Sequence, residues 1–101
     1  MNEQSTQVSE RALREAFELL KRHVSARSEG GQIAIHNDAF WSVPVTSMND
    51  IYSDPPELTI GTVSDAWHNV ERMIDDEARV VGYGLVWLAD VIRAIGAEFE
   101  T

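Results

Sequence analysis

Leu13, Phe17, Leu20 and Val24 recur at the spacing that brings apolar side chains onto one face of an α-helix. Ser9 stands before them as an N-cap, and Val8 and Leu13 occupy the N′ and N4 positions of a hydrophobic staple. Glu10 with Arg14, and Glu18 with Arg22, are acid-first pairs one turn apart on the outer face. The pattern predicts a helix from residue 10 to about 27, stopped by Gly30-Gly31. Residues 1–8 are polar and read as a disordered tail.

The pattern then changes. "QIAIHNDAFWSVP" carries β-branched and aromatic residues around Asn37-Asp38, which predicts a β-hairpin turning at that pair. Ile35 then faces Phe40, and Ala34 faces Trp41. Residues 46–57, "TSMNDIYSDPPE", are rich in Asp, Asn, Ser and Pro and form a loop. Leu58-Thr59-Ile60 is a candidate third strand.

Helical periodicity returns after Gly61. Thr62 or Ser64 caps a helix whose Val63, Ala66, Trp67, Val70, Met73 and Ile74 span an apolar arc of only about 120°. In the last segment, Leu85, Trp87, Leu88, Val91, Ile92, Ile95 and Phe99 sweep a wider arc than that of the preceding helix, leaving a wet strip of Val86, Asp90, Arg93 and Ala97. This is not a membrane span. Its uncharged run, Val80 to Ala89, is half of the roughly 20 residues a bilayer requires. Asp90 and Arg93 follow at once, and a central charge costs about 2.5–3.5 kcal/mol on insertion. The expected core is Phe17, Leu20, Ile35, Trp67, Val70, Ile74, Leu85, Leu88, Ile92 and Ile95.

Composition narrows the function classes. The 101 residues suit one globular domain over 9–101. Seventeen acidic and eight basic side chains give a net charge of −9. That field repels phosphate backbones and anionic lipid, so neither nucleic acid nor membrane is an expected partner. A basic protein partner suits it. Cysteine is absent, which removes disulfides, thiolate nucleophiles and cysteine-bound zinc and fits the cytoplasm. "MNEQSTQVSE" has neither the basic nor the apolar region of a secretion signal.

Candidate chemistry is sparse. His23 and His68 fall at the edge and on the polar side of their helices. His36, Asp38 and His68 lack metal-ligand spacing, so no metal, cofactor or catalytic set is expected. "LTIGTVSDAW" has the strand–glycine–helix order of a phosphate site, but no Lys follows and Asp65 would repel the anion. No G-x-S-x-G nucleophile elbow is present. Trp67 and Trp87 have core spacing. Trp41 precedes the 46–57 loop and Tyr52 lies within it, where exposed aromatics make binding hot spots. Asp54 and Glu57 lie in that loop, and Asp75-Asp76 sits against the negative end of its helix, as a contact for a basic partner would. Trp41, Tyr52, Asp54, Glu57, Asp75 and Asp76 are therefore the candidate partner-binding residues.

"FWSVP" (40–44), "PELTIGTVSDAW" (56–67) and "VGYGLVWLADVIRAIG" (81–96) together resemble a small family of bacterial proteins of this size with no assigned activity. Val63 and Ala66 depart from the Leu and Asp of that family. The resemblance implies a soluble, freestanding bacterial domain and carries over no functional residue.

The expectation is an α+β fold: an N-terminal helix, a two- to three-stranded antiparallel sheet, then two helices with the last one central. The expected function is non-enzymatic protein interaction, in the manner of an inhibitor or immunity protein binding a basic partner, or self-association through the last helix. The alternative is a small hydrolase-like or ligand-binding enzyme with a pocket by the 46–57 loop, using His36, Asp38, Asp54 and Glu57.

Overall fold

Ser9 opens the first helix, α1 (Glu10–Ser25), by accepting the Ala12 N–H on its Oγ at 3.1 Å. The structure is a computed structural model that describes residues 5–77 and 82–100. It is α+β, with α1, then strands β1 (Ala39–Ser42) and β2 (Thr59–Thr62), then helices α2 (Val63–Asp75) and α3 (Gly82–Phe99). The chain divides into two compact units, Met1–Ala34 and Ile35–Thr101. Of the 1–8 tail, residues 5–8 carry no regular element, and residues 1–4 lie outside the described residues.

In the first unit α1 ends two residues earlier than its pattern predicts. The acid-first pairs are not closed; the intrahelical ion pair within reach is Arg11 Nε–Glu15 Oε1, at 3.0 Å and exposed on both sides. Phe17 and Leu20, expected in the core, are half or more exposed, and no residue of α1 is buried. Amphipathic spacing specifies that a face is apolar, not what covers it. After α1 the chain reverses tightly. Gly30 and Gly31 both have positive φ (58° and 74°), and Glu29 and Gln32 exchange backbone hydrogen bonds of 3.1 and 2.9 Å across them.

This reversal corrects the hairpin expected at Asn37-Asp38. A two-residue hairpin turn puts one or both central residues at positive φ, which glycine adopts without strain. Among the described residues no non-glycine has positive φ, so Asn37 and Asp38 do not turn in that way. Residues 33–35 form no strand. β1 pairs instead with β2, antiparallel, with Phe40 opposite Gly61 and Trp41 opposite Ile60. The candidate strand at Leu58–Ile60 is present as β2, starting one residue later and ending two residues later.

Asp38 has a different role. Its backbone oxygen accepts the Val63 N–H at 2.8 Å. Its carboxylate accepts the Ser64 N–H at 2.8 Å and the Ser64 hydroxyl at 2.9 Å. Thr62 Oγ1 accepts the Asp65 N–H at 3.3 Å. The first three N–H groups of α2 are thereby satisfied, and a carboxylate faces the positive end of the helix. Asp38→Ala removes half of this cap and should cost about 1 kcal/mol in chemical unfolding, whereas Asp65→Asn should be close to neutral.

The core of the second unit lies between α2 and α3. Val63, Ala66 and Val91 form a buried cluster, with Ile35, Phe40, Trp87, Ala94 and Ile95 packed half-buried against it, and Val70 is also buried. Gly84 is buried as well, and a Cβ there would meet the Met73 sulfur at 2.5 Å. The helices thus meet along their small residues, Ala66 and Gly84, because these permit close approach. This revises the expected core. Val70 is buried, and Ile35, Leu88 and Ile95 are half-buried, as their spacing suggests. Trp67, Ile74, Leu85 and Ile92 are exposed. Leu85 and Ile92 stand about 80–100° around α3 from Gly84, beyond the reach of α2.

Candidate protein-interaction groove

Alternation along β1 half-buries Phe40 and Ser42 and turns Ala39 and Trp41 outward. After Ser42, Val43-Pro44 breaks the strand because proline supplies no N–H for pairing. A single 3₁₀ turn, Val45–Ser47, follows and leads to Met48. This short apolar run stands across from one side of α3. Between them lies a groove of about 550 Å³, with Trp41, Val43, Pro44 and Met48 on one wall and Tyr83, Val86, Trp87 and Asp90 on the other.

The α3 wall joins Val86, Asp90 and Arg93, from the strip that helical spacing predicts to be wet, to Trp87 of the apolar arc. Val86 and Asp90 are half-buried, and Arg93 and Ala97 are exposed. Val86 and Asp90 face the segment after β1 across the groove, an arrangement that helical periodicity does not encode. The Tyr83 and Trp87 rings are one turn apart, with centroids separated by 6.4 Å and planes tilted by 34°. Asp90 Oδ1 lies 3.8 Å from the Arg93 guanidinium, with the aspartate largely shielded and the arginine exposed. The groove is therefore an aromatic and aliphatic channel with one ion pair in its wall. Trp41 is 67% exposed, Tyr83 55% and Leu85 76%, an apolar concentration that isolated surface residues do not produce.

No protein-family model, curated protein or solved structure matches the chain. The chemistry of the site thus rests on its own geometry.

Of the residues singled out by sequence, Trp41 lines the groove, and Tyr52, 96% exposed, does not. Asp54, Glu57, Asp75 and Asp76 are exposed and also lie outside its lining. Asp75 ends α2, and Asp76 follows it as the C-cap, its N–H donating to the Arg72 carbonyl at 3.1 Å. The residues proposed for the enzymatic alternative are not brought together. Asp38 is tied to Ser64, His36 is tied to Glu98, and none of His36, Asp38, Asp54 and Glu57 lines the groove. Among the described residues, no group of three or more His, Asp or Glu is arranged to hold a metal ion. The N-terminus of α2, which resembles a phosphate site in sequence, is already occupied by the Asp38 carboxylate.

Val43, Pro44, Met48, Tyr83, Val86 and Asp90 escape the sequence reading. The signal was present in part. An apolar run follows a strand and is broken by proline, and Tyr83, Val86 and Asp90 share a side of α3 at one-turn spacing.

A second tether fixes the segment leading into β1. His36 donates its backbone N–H to Glu98 Oε1 at 2.6 Å, and its ring Nδ1 lies 3.0 Å from Oε2. The backbone N–H of His36, and after it the ring, hold the Glu98 carboxyl below the ordinary glutamate range. A carboxyl depressed in the fold stabilises it fully above its unfolded pKa and loses that contribution as pH falls through the lower folded value. The His36 amide resonance should therefore report a Glu98 titration whose midpoint lies below the ordinary glutamate value. In Glu98→Ala the same amide should exchange faster at neutral pH. A shift of the wild-type signal centred at or above the ordinary glutamate value would contradict this tether.

Proposed function

We propose that the protein is a non-enzymatic interaction domain that binds an apolar, basic segment of a partner protein in the groove between residues 40–48 and α3. The observation that carries this reading is the groove itself: an open, largely apolar channel edged by exposed Trp41, Tyr83 and Leu85, with Asp90 as its acidic group. Exposed aromatic anchors around a shielded channel are the usual form of a binding hot spot. The net charge of −9 favours a basic partner and raises its rate of encounter. No described helix is long and apolar enough to cross a membrane, and the absence of cysteine suits a reducing compartment such as the cytoplasm.

Photo-crosslinking from position 41 tests the reading. A photoreactive residue replacing Trp41 should capture one discrete basic protein in native lysate, and the same residue at Tyr52 should not. Trp41→Ala should weaken binding of that partner at least thirtyfold, the scale of a hot-spot loss of about 2 kcal/mol. The association rate should fall between low and physiological salt. Equal capture from positions 41 and 52, or a partner indifferent to Trp41→Ala, would overturn the groove as the binding site.

A further inference from the structure

The first unit carries an interaction surface of its own, separate from the groove. Leu13, Phe17 and Leu20 are 61, 50 and 63% exposed, and Val24 is half-buried. Their order places Leu13 and Leu20 at d positions and Phe17 and Val24 at a positions of two heptads, the seam of a coiled coil. The charge of the chain is also divided unevenly. Residues 1–34 hold five acidic and five basic side chains, so their net charge is zero. Residues 35–101 hold the other twelve acidic and three basic side chains, and hence the entire charge of −9. Two copies meeting through their second units would set −9 against −9. Two copies meeting through α1 bring neutral segments together.

We propose that α1 pairs with α1 of a second copy of this chain, as a parallel two-stranded coiled coil closed by Leu13, Phe17, Leu20 and Val24. The flanking charges choose the direction. Arg14 and Lys21 fall at e positions, and Ala16 and His23 at g positions. In an antiparallel pair, e faces e, and Arg14 would stand against Lys21 of the other copy. In a parallel pair, e faces g, and Lys21 meets Ala16. Leucine at d and β-branched Val24 at a also suit two parallel strands. Sixteen residues make a helix about 24 Å long, so the contact is short. Its dissociation constant should fall roughly between 1 μM and 1 mM.

Sedimentation equilibrium of the full chain tests this. The average mass should rise with concentration from 11.3 kDa toward twice that value. Leu20→Glu should hold it at the monomer value, and should leave the far-UV spectrum intact because Leu20 is exposed. Trp41→Ala should leave the rise unchanged, which separates this surface from the groove. Leu20→Cys, in a chain with no other cysteine, should form an intermolecular disulfide at least tenfold faster than Glu15→Cys on the outer face. A constant monomer mass to about 1 mM, or equal crosslinking at the two positions, would overturn the proposal. So would a mass rise that survives Leu20→Glu and is abolished by Leu85→Glu, which would assign self-association to α3.

Discussion

Val70→Asp should unfold residues 35–101 at neutral pH. Val70 is 3% exposed, one turn beyond Ala66 on the buried side of α2. An aspartate there has a carboxylate without water and without a cation, and an unpaired buried charge costs several kcal/mol. A domain of this size has a total stability of only about 5–15 kcal/mol. The near-UV signal of Trp67 and Trp87 should collapse, and part of it should return in acid, where the introduced carboxyl is neutral. Ile74→Asp is the informative control. Helical spacing puts Ile74 on the same apolar stripe, but it is 69% exposed, and its substitution should leave the domain folded. If both variants unfold, the core is the broader one that spacing alone suggests.

Gly61→Val should destabilise the sheet by about 1–3 kcal/mol, although valine is the better strand former. Gly61 pairs with Phe40, and the Phe40 ring lies across it. A Cβ at this position would meet Phe40 Cζ at 2.7 Å and Cε2 at 2.9 Å. The ring cannot give way without leaving its place beside Val63, Ala66 and Val91. The cost therefore depends on Phe40, and a double-mutant cycle reads that dependence. In a Phe40→Ala background, Gly61→Val should be neutral or mildly stabilising, with a coupling above about 1 kcal/mol. Additive losses would show that the ring and the glycine are energetically independent.

These two sites show how far the sequence can be read. The helix starts were legible because capping is local: Ser9 caps α1, and Thr62 caps α2. The order of helix, strands and two helices followed from the change of period. Strand pairing was not legible, since β1 and β2 are joined by the 46–57 loop and their register depends on Phe40 covering Gly61. The apolar arc of α3 is broader than the side that packs: Trp87, Val91 and Ile95 lie at the core, whereas Leu85 and Ile92 are exposed. Large apolar residues suggest a core, yet the buried seam runs through Gly84, Val91 and Ala66, where small side chains let the helices approach. Of the candidate partner-binding residues, Trp41 lines the groove. The groove forms between segments some 40 residues apart in sequence, and its α3 wall combines Trp87, which has core spacing, with Val86 and Asp90, which helical spacing assigns to solvent. Asp38 likewise was taken for a turn residue, because its partner, Ser64, is 26 positions away.

The α2–α3 seam is the stable centre of the second unit, and no residue of α1 is buried. Native-state amide hydrogen exchange measures this residue by residue. The slowest amides should be those of Val70, Val91 and their helical neighbours, exchanging only through global unfolding. The amides of α1 should exchange through local opening, at a far lower free energy in dilute solution. Protection that is greatest around Phe17 and Leu20, or weak at Val70 and Val91, would contradict the fold described and the groove built on it.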